Sequence, residues 1–142
     1  KKMGKSPKEI TVIAAVIEES GSFLVTRRPP NVHLGGYWEF PGGKCKPQET
    51  DAQCLRREIR EELATDIKIS KEILRTVHAY EDLTVELRFY RCTLTGNPKP
   101  VFQQEMRWVS RLELQSLQFP KADEELIQKL TKSSGQPNRI VR

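Results

Sequence analysis

From residue 50 onward the spacing of apolar side chains switches from the alternation of strands to the rhythm of a helix, and no other feature constrains the fold as much. Thr50 and Gln53 stand as a capping box, in which each side chain satisfies a backbone N–H that the first helical turn leaves unpaired. Ala52, Leu55, Ile59 and Leu63 follow at helical spacing, so one stripe of this helix must be buried. Upstream, an apolar, β-branched run at 10–17, the turn residues Ser20-Gly21 and then Phe23-Leu24-Val25-Thr26 read as a hairpin. Pro29-Pro30-Asn31 ends its second strand, Tyr37 to Phe40 forms a short aromatic strand, and Pro41-Gly42-Gly43 breaks it. Downstream, 67–69, 74–80, 85–94 and 107–109 read as strands, with Thr95-Gly96-Asn97-Pro98 as a turn. Ser110 and Glu113 open a short helix, and 123–130 reads as another with Leu126, Ile127 and Leu130 facing inward. The elements are mixed without regular βαβα alternation, which predicts an α+β fold: a mixed sheet with helices packed on its faces. The reading is one domain over 9–131, a flexible N-terminus over 1–8 and a disordered tail over 132–142.

Composition excludes several classes. No apolar run approaches the length of a membrane span, and the basic start of the chain lacks the apolar stretch of a signal peptide. Cys45, Cys54 and Cys92 are odd in number and lack metal-type spacing, so they are expected as reduced thiols in a cytoplasmic protein. The formal net charge of +5 suits a polyanionic ligand. No basic stripe interleaved with aromatics accompanies it, so no stable nucleic-acid complex is expected. Monomer and homodimer both stay open.

The chemistry concentrates on the helix. Glu58, Glu61 and Glu62 stand at i, i+3 and i+4, beside the buried stripe. Three carboxylates this close repel one another and oppose the helix dipole near its C-terminal end. A hard divalent cation with oxygen ligands would remove that conflict. The competing reading is a solvated acidic face offset by Arg56, Arg57 and Arg60.

The preceding loop weighs against the solvated face. Gly43, Glu49, Arg57, Glu58, Ile59, Glu61 and Glu62 meet the pattern G-x5-E-x7-R-E-U-x-E-E-x-G-U, with U an aliphatic residue. By this pattern the chain resembles the Nudix hydrolase family. The departures are Ala64 where the pattern ends in Gly, and Thr65 where it has an aliphatic. Thr26-Arg27-Arg28, His33, the run Glu39-Phe40-Pro41-Gly42-Gly43-Lys44, and Phe119-Pro120-x-Ala122-Asp123-Glu124 extend the likeness to the MutT-like branch. The resemblance implies the Nudix fold, a mixed sheet sandwiched between helices. It also implies Mg²⁺, with Mn²⁺ able to substitute, and hydrolysis of a (d)NTP to (d)NMP and diphosphate.

The residues divide into roles on this basis. Glu58, Glu61 and Glu62 are the metal-binding acids, and the resemblance adds the carbonyl of Gly42. Glu58 and Glu49 are rival candidates for the base that activates water. Arg57, with its planar fork, is expected to hold a carboxylate in place rather than touch substrate. Arg28, His33, Glu39, Phe40, Pro41, Gly42 and Lys44 are expected around the nucleotide, Lys44 as a point charge for phosphate. Trp38 and Phe40 read as core or pocket wall, and Trp108 as core. MutT relatives carry a further metal-binding glutamate where Phe102 stands here, and Glu105 is the nearest substitute. Asp123 replaces the base-reading Asn of MutT; ionised, it only accepts hydrogen bonds, and it also suits a helix N-cap.

The reading is a Mg²⁺-dependent nucleoside triphosphate pyrophosphohydrolase of MutT type. Its leading substrates are modified dNTPs such as 8-oxo-dGTP, so nucleotide-pool sanitation in the service of DNA repair is the implied purpose. A cytidine-type pyrophosphohydrolase for CTP, dCTP or 5-methyl-dCTP is the alternative. A non-catalytic nucleotide sensor on the same fold is the rival of another class.

Overall fold

The computed structural model describes residues 8–132, so all but Lys8 of the expected flexible 1–8 and all but Lys132 of the expected disordered 132–142 lie outside the described residues. At both ends the regular elements reach one residue beyond the expected 9–131. Lys8 already belongs to β1 (Lys8–Glu19), held by its backbone N–H on Asp82, and the last helix, α3 (Glu124–Lys132), runs on through Lys132.

β1 and β2 (Ser22–Arg27) form the expected hairpin across Ser20 and Gly21, both at positive φ (52° and 80°). That geometry matches the right-handed twist of the strands, and Gly21 adopts it without a Cβ penalty. The seven strands make one sheet in the order β3-β2-β1-β6-β5, with β4 added on β1 and β7 on β2. β3 is Trp38–Glu39, β4 is Gly42–Lys44, β5 is Ile67–Ala79, β6 is Leu83–Leu94 and β7 is Met106–Ser110. β1 pairs parallel to β6, from Lys8 opposite Leu83 to Ile17 opposite Cys92, and its other pairings are antiparallel. The sheet is therefore mixed.

β1 shows why both faces are covered. Ala14 and Val16 point to one side, among Phe23, Val25, Phe89 and residues of α2 (Arg111–Ser116) and α3. Ile13, Ala15 and Ile17 point to the other, onto α1 (Asp51–Leu63). With period-two alternation and two buried faces, a strand reads as a continuous apolar run, as 10–17 does. Leu55, Ile59 and Leu63 are fully buried, each contributing about 1.5–3 kcal/mol and together fixing the rotation of α1. The capping boxes at Thr50 and Ser110 are both formed.

Three expectations need correction here. The segments 67–69 and 74–80 are one strand, β5, whose alternation is broken by register shifts at Ile69/Lys71 and Glu72/Leu74. Such bulges place an extra residue against the partner strand, which splits the sequence signal without ending the strand. Trp108 is not core: it is 38% exposed on β7, while Val109 beside it is fully buried. Cys45 and Cys54 are not reduced thiols but a disulfide, and Cys92 alone is free and buried. Among the described residues no helix is long and apolar enough to cross a membrane.

Candidate active site

The site is built where α1 crosses β4. β4 lies antiparallel on β1, with Gly42 opposite Ala14 and Gly43 opposite Ile13. A Cβ at Gly42 would stand 2.0 Å from the carbonyl oxygen of Ile13, and one at Gly43 only 2.3 Å from the Glu58 carboxyl carbon. The two glycines therefore let a strand and a carboxylate approach closer than any side chain permits. Because the buried stripe of α1 is fixed, Glu58 and Glu62 are turned into a cleft of about 390 Å³, lined also by Arg28, Glu39, Gly42 and Lys44.

The cleft acids are all shifted toward their protonated forms. Burial pushes Glu62 up from 4.5 to about 8, with help from the charges of Glu39 and Glu58 and against the backbone N–H of Gly42. Burial also raises Glu58, against the pull of Arg57, and Glu39, against the pull of Arg28. The donors that meet here are all oxygens, and they repel one another. That set fits a hard divalent cation such as Mg²⁺ or Mn²⁺, which Glu58, Glu62 and Glu39 could hold together with backbone oxygen.

Beside the cleft the electrostatics reverse. The Arg57 fork grips Glu49 through both of its oxygens, at 2.6 Å and 2.9 Å. Arg57 also reaches Glu58 at 3.1 Å, Glu61 at 3.2 Å and the carbonyl of Lys44 at 3.2 Å. The Arg57 hydrogen bond and the backbone N–H of Lys46 hold the Glu49 carboxyl down to about 2. Glu49 is thus a committed partner of Arg57, while Glu58 faces both the clamp and the cleft. Glu61 is exposed and tied to Arg57, outside the lining of the cleft.

At the other end of the cleft, Glu39 and Phe40 lead into a second cavity of about 170 Å³, closed by Val12, Leu87, Phe89 and Asp123. Phe40 stacks on Phe119 at 5.3 Å and meets Phe89 edge-on at 6.4 Å, which gives this cavity flat aromatic walls. Asp123 is buried and belongs to a 3₁₀ turn, Lys121–Asp123, ahead of α3. Burial, with the charge of Glu39, lifts its carboxyl from 3.8 to about 7. Near neutral pH this carboxyl is then shared between an ionised form, which only accepts, and a protonated form, which donates and accepts.

The remaining expected residues are placed as follows. Arg28 is held by the carbonyl of His33 at 2.8 Å and by Glu39 at 3.4 Å, so it lies at the mouth of the cleft. His33 is exposed, and its visible part in the site is that carbonyl. Pro41 is buried, with its carbonyl accepting from Ala15 at 2.8 Å. Lys44 is exposed at the rim. Glu105 pairs with Arg27 at 3.3 Å on a neighbouring groove, and Phe102 is 67% exposed beside it.

Some of what the site uses was not read from the sequence. Phe89 and Leu87 of β6 form a wall of the inner cavity, and the alternation of β6 was the available signal. The loop after β6 closes the C-terminal end of α1: Lys99 N–H binds the carbonyl of Leu63 at 2.8 Å, and Val101 N–H that of Glu62 at 3.0 Å. Gln104 adds its amide to the carbonyl of Glu62 at 3.2 Å. Nothing in the local sequence announces these long-range caps.

Comparison with known proteins places this geometry. Residues 12–129 match the family described as NUDIX domain. A CTP pyrophosphohydrolase of Escherichia coli K12 is 33% identical over 116 residues, covering 81% of this chain and 84% of its own. An 8-oxo-dGTP diphosphatase of Proteus vulgaris is 34% identical over 87 residues, covering 61% of this chain and 78% of its own. The solution structure of the E. coli ORF135 protein superposes with a TM-score of 0.82 at 27% identity, over 94% of this chain and 96% of that one.

Proposed function

The chain belongs to the Nudix family, and from that premise we propose a Mg²⁺-dependent pyrophosphohydrolase that converts a nucleoside triphosphate to the monophosphate and diphosphate. The observation that carries the substrate reading is the inner cavity, where aromatic walls end on a buried carboxyl poised near neutrality. The flat walls suit a nucleobase. A protonated Asp123 presents one O–H donor and one carbonyl acceptor, the pair an Asn amide offers. An oxidised guanine, with a ring N–H next to a carbonyl, is complementary to it. Modified dNTPs such as 8-oxo-dGTP are therefore the leading substrates, and sanitation of the nucleotide pool is the role.

The polar parts of the nucleotide follow from the cleft. With a base in the inner cavity, the phosphates extend past Glu39 toward Arg28, Lys44 and the acid cluster. Bound at Glu58, Glu62 and Glu39, a divalent cation would neutralise phosphate charge and orient the attacked phosphorus. Arg28 and Lys44 offset the charge of the phosphate chain. Glu58 is the favoured base, because its carboxylate opens on the cleft where water and phosphate meet, whereas Glu49 is locked in an ion pair with Arg57 outside it. Arg57 acts as a positioning residue that fixes Glu49, Glu58 and Glu61 at once.

Cytidine nucleotides form the second reading. It is favoured by the ionised fraction of Asp123, which accepts from an exocyclic amino group, and by the similarity to a CTP pyrophosphohydrolase. A screen of 8-oxo-dGTP, dGTP, CTP, dCTP and 5-methyl-dCTP, with and without Mg²⁺, separates the two. Diphosphate release led by 8-oxo-dGTP is the expected result. Release led by a cytidine nucleotide moves the assignment to the second reading. Orthophosphate as the product, or activity indifferent to Mg²⁺, contradicts both.

A further inference from the structure

Cys45 and Cys54 stand apart from the reaction derived above. Cys45 follows the last residue of β4, Cys54 lies in the first turn of α1, and a disulfide joins them. The two sulfurs and a carboxylate oxygen of Glu49 lie within 4.8 Å of one another. The sulfurs are not equivalent. Cys54 is fully buried, whereas Cys45 is half-buried and opens on a cavity of about 430 Å³ beside the start of β1.

The walls of that cavity are cationic in balance. Lys8, Lys44, Lys46 and Arg88 line it, with Glu9, Glu49 and Asp51. Glu49 is gripped by Arg57, and Asp51 by Arg88 and Tyr90, both at 2.5 Å. That leaves Lys8, Lys44 and Lys46 against Glu9 as the charge a visiting molecule meets.

We propose that Cys45 is a site of reversible S-thiolation by small anionic thiols, with Cys54 as the resolving thiol. An incoming thiolate attacks Cys45 Sγ from the cavity. The Cys45–Cys54 bond breaks, its electron pair leaves on Cys54 Sγ, and a mixed disulfide forms on Cys45. One disulfide replaces another, so no outside oxidant or reductant is consumed. Return of the Cys54 thiolate onto Cys45 expels the small thiol and restores the original bond. The leaving sulfur stays in the buried cluster with Leu55 and Ile59, where a thiolate is disfavoured, and that drives its return onto Cys45. The reverse choice, attack on Cys54, is blocked by its burial. Opening the bond unties the segment that carries Glu49 from the helix that carries Arg57.

The test uses the whole chain with its disulfide intact. Glutathione (anionic), 2-mercaptoethanol (neutral) and cysteamine (cationic) are compared at equal thiolate concentration, quenched in acid, and the adducts mapped by peptide mass spectrometry. The expected result is one adduct, on Cys45, formed about tenfold faster with glutathione than with cysteamine at low salt. High salt should erase most of that preference. Lys8→Glu with Lys46→Glu should reverse it while the melting temperature holds. An adduct on Cys54 or Cys92, rates blind to thiol charge, or absence of exchange would each overturn the proposal.

Discussion

The carboxylate clamped beside α1 and those of the neighbouring cavities are driven in opposite directions. Glu49, gripped through both oxygens by Arg57, is held down to about 2. A turn away, Glu62 is pushed up to about 8, with Glu39 and Glu58 raised beside it and Asp123 lifted to about 7. The residue types are nearly the same, so the difference lies in the partners. Glu49 lies against a guanidinium and forms a frame. The cleft acids meet burial and one another, and that unrelieved charge is what a cation and a reacting proton can relieve.

The largest test of this contrast removes the most perturbed acid. Glu62→Gln should lower Mg²⁺-dependent kcat/KM by about a thousandfold, in line with the several kcal/mol a metal supplies at a developing charge. The fold should persist, since little volume changes. Near-wild-type turnover at saturating Mg²⁺ would break the distinction between the clamped acid and the cleft acids.

Stability against pH is the next test, and its sign follows from the shifts. Glu62 and Asp123 have folded pKa values above their ordinary 4.5 and 3.8. Their stabilising effect is therefore complete below those ordinary values and lost as pH rises through about 7 and 8. Metal-free protein should lose about 2–4 kcal/mol of unfolding free energy between roughly pH 5 and 9, after allowance for solvent screening. Glu49 works in the other window: its contribution is present above 4.5 and lost as pH falls toward 2. Urea unfolding across pH should show less loss at high pH in Glu62→Gln and an unchanged acid limb. A flat profile in wild type would contradict the raised acids.

Asp123→Asn sharpens the same point at the base. Wild type should favour 8-oxo-dGTP over dCTP more strongly at pH 6 than at pH 8, with a change in the ratio of about tenfold, or about 1.4 kcal/mol. The variant should hold one ratio across that range. Equal pH dependence in both proteins would take base selection away from this residue.

The smallest effect lies at the far end of α1. Ala64 caps the helix in the left-handed conformation, with φ 54° and ψ 38°, where the family pattern has Gly. Ala64→Gly should raise stability by about 1 kcal/mol by removing the Cβ clash. Urea unfolding measures it, and a loss would show that the turn is not strained.

Much of this was legible in the sequence because it is local. The capping boxes at Thr50 and Ser110, the stripe from Leu55 to Leu63 and the run of acids follow from spacing within one helix, and all are present. The cleft is less legible, because partners far apart in the chain make it. Glu39 meets Glu62 only after β4 folds onto β1, and the ionisation of Asp123 depends on burial that no residue name carries. The disulfide was missed for a related reason. Its two cysteines flank a loop whose closure is decided by where α1 docks. Trp108 reads as core by residue type alone, but β7 buries Val109 and turns its neighbour outward.

The most direct test of the central claim sets Glu58→Gln beside Glu49→Gln in single-turnover hydrolysis of 8-oxo-dGTP at saturating Mg²⁺. If the carboxylate facing the cleft takes the proton and the clamped one only positions, Glu58→Gln loses about 10²–10⁴-fold in rate and Glu49→Gln less than about tenfold. The reverse order would show that the clamped acid does the chemistry, equal losses that neither acid alone takes the proton, and either result would contradict the account.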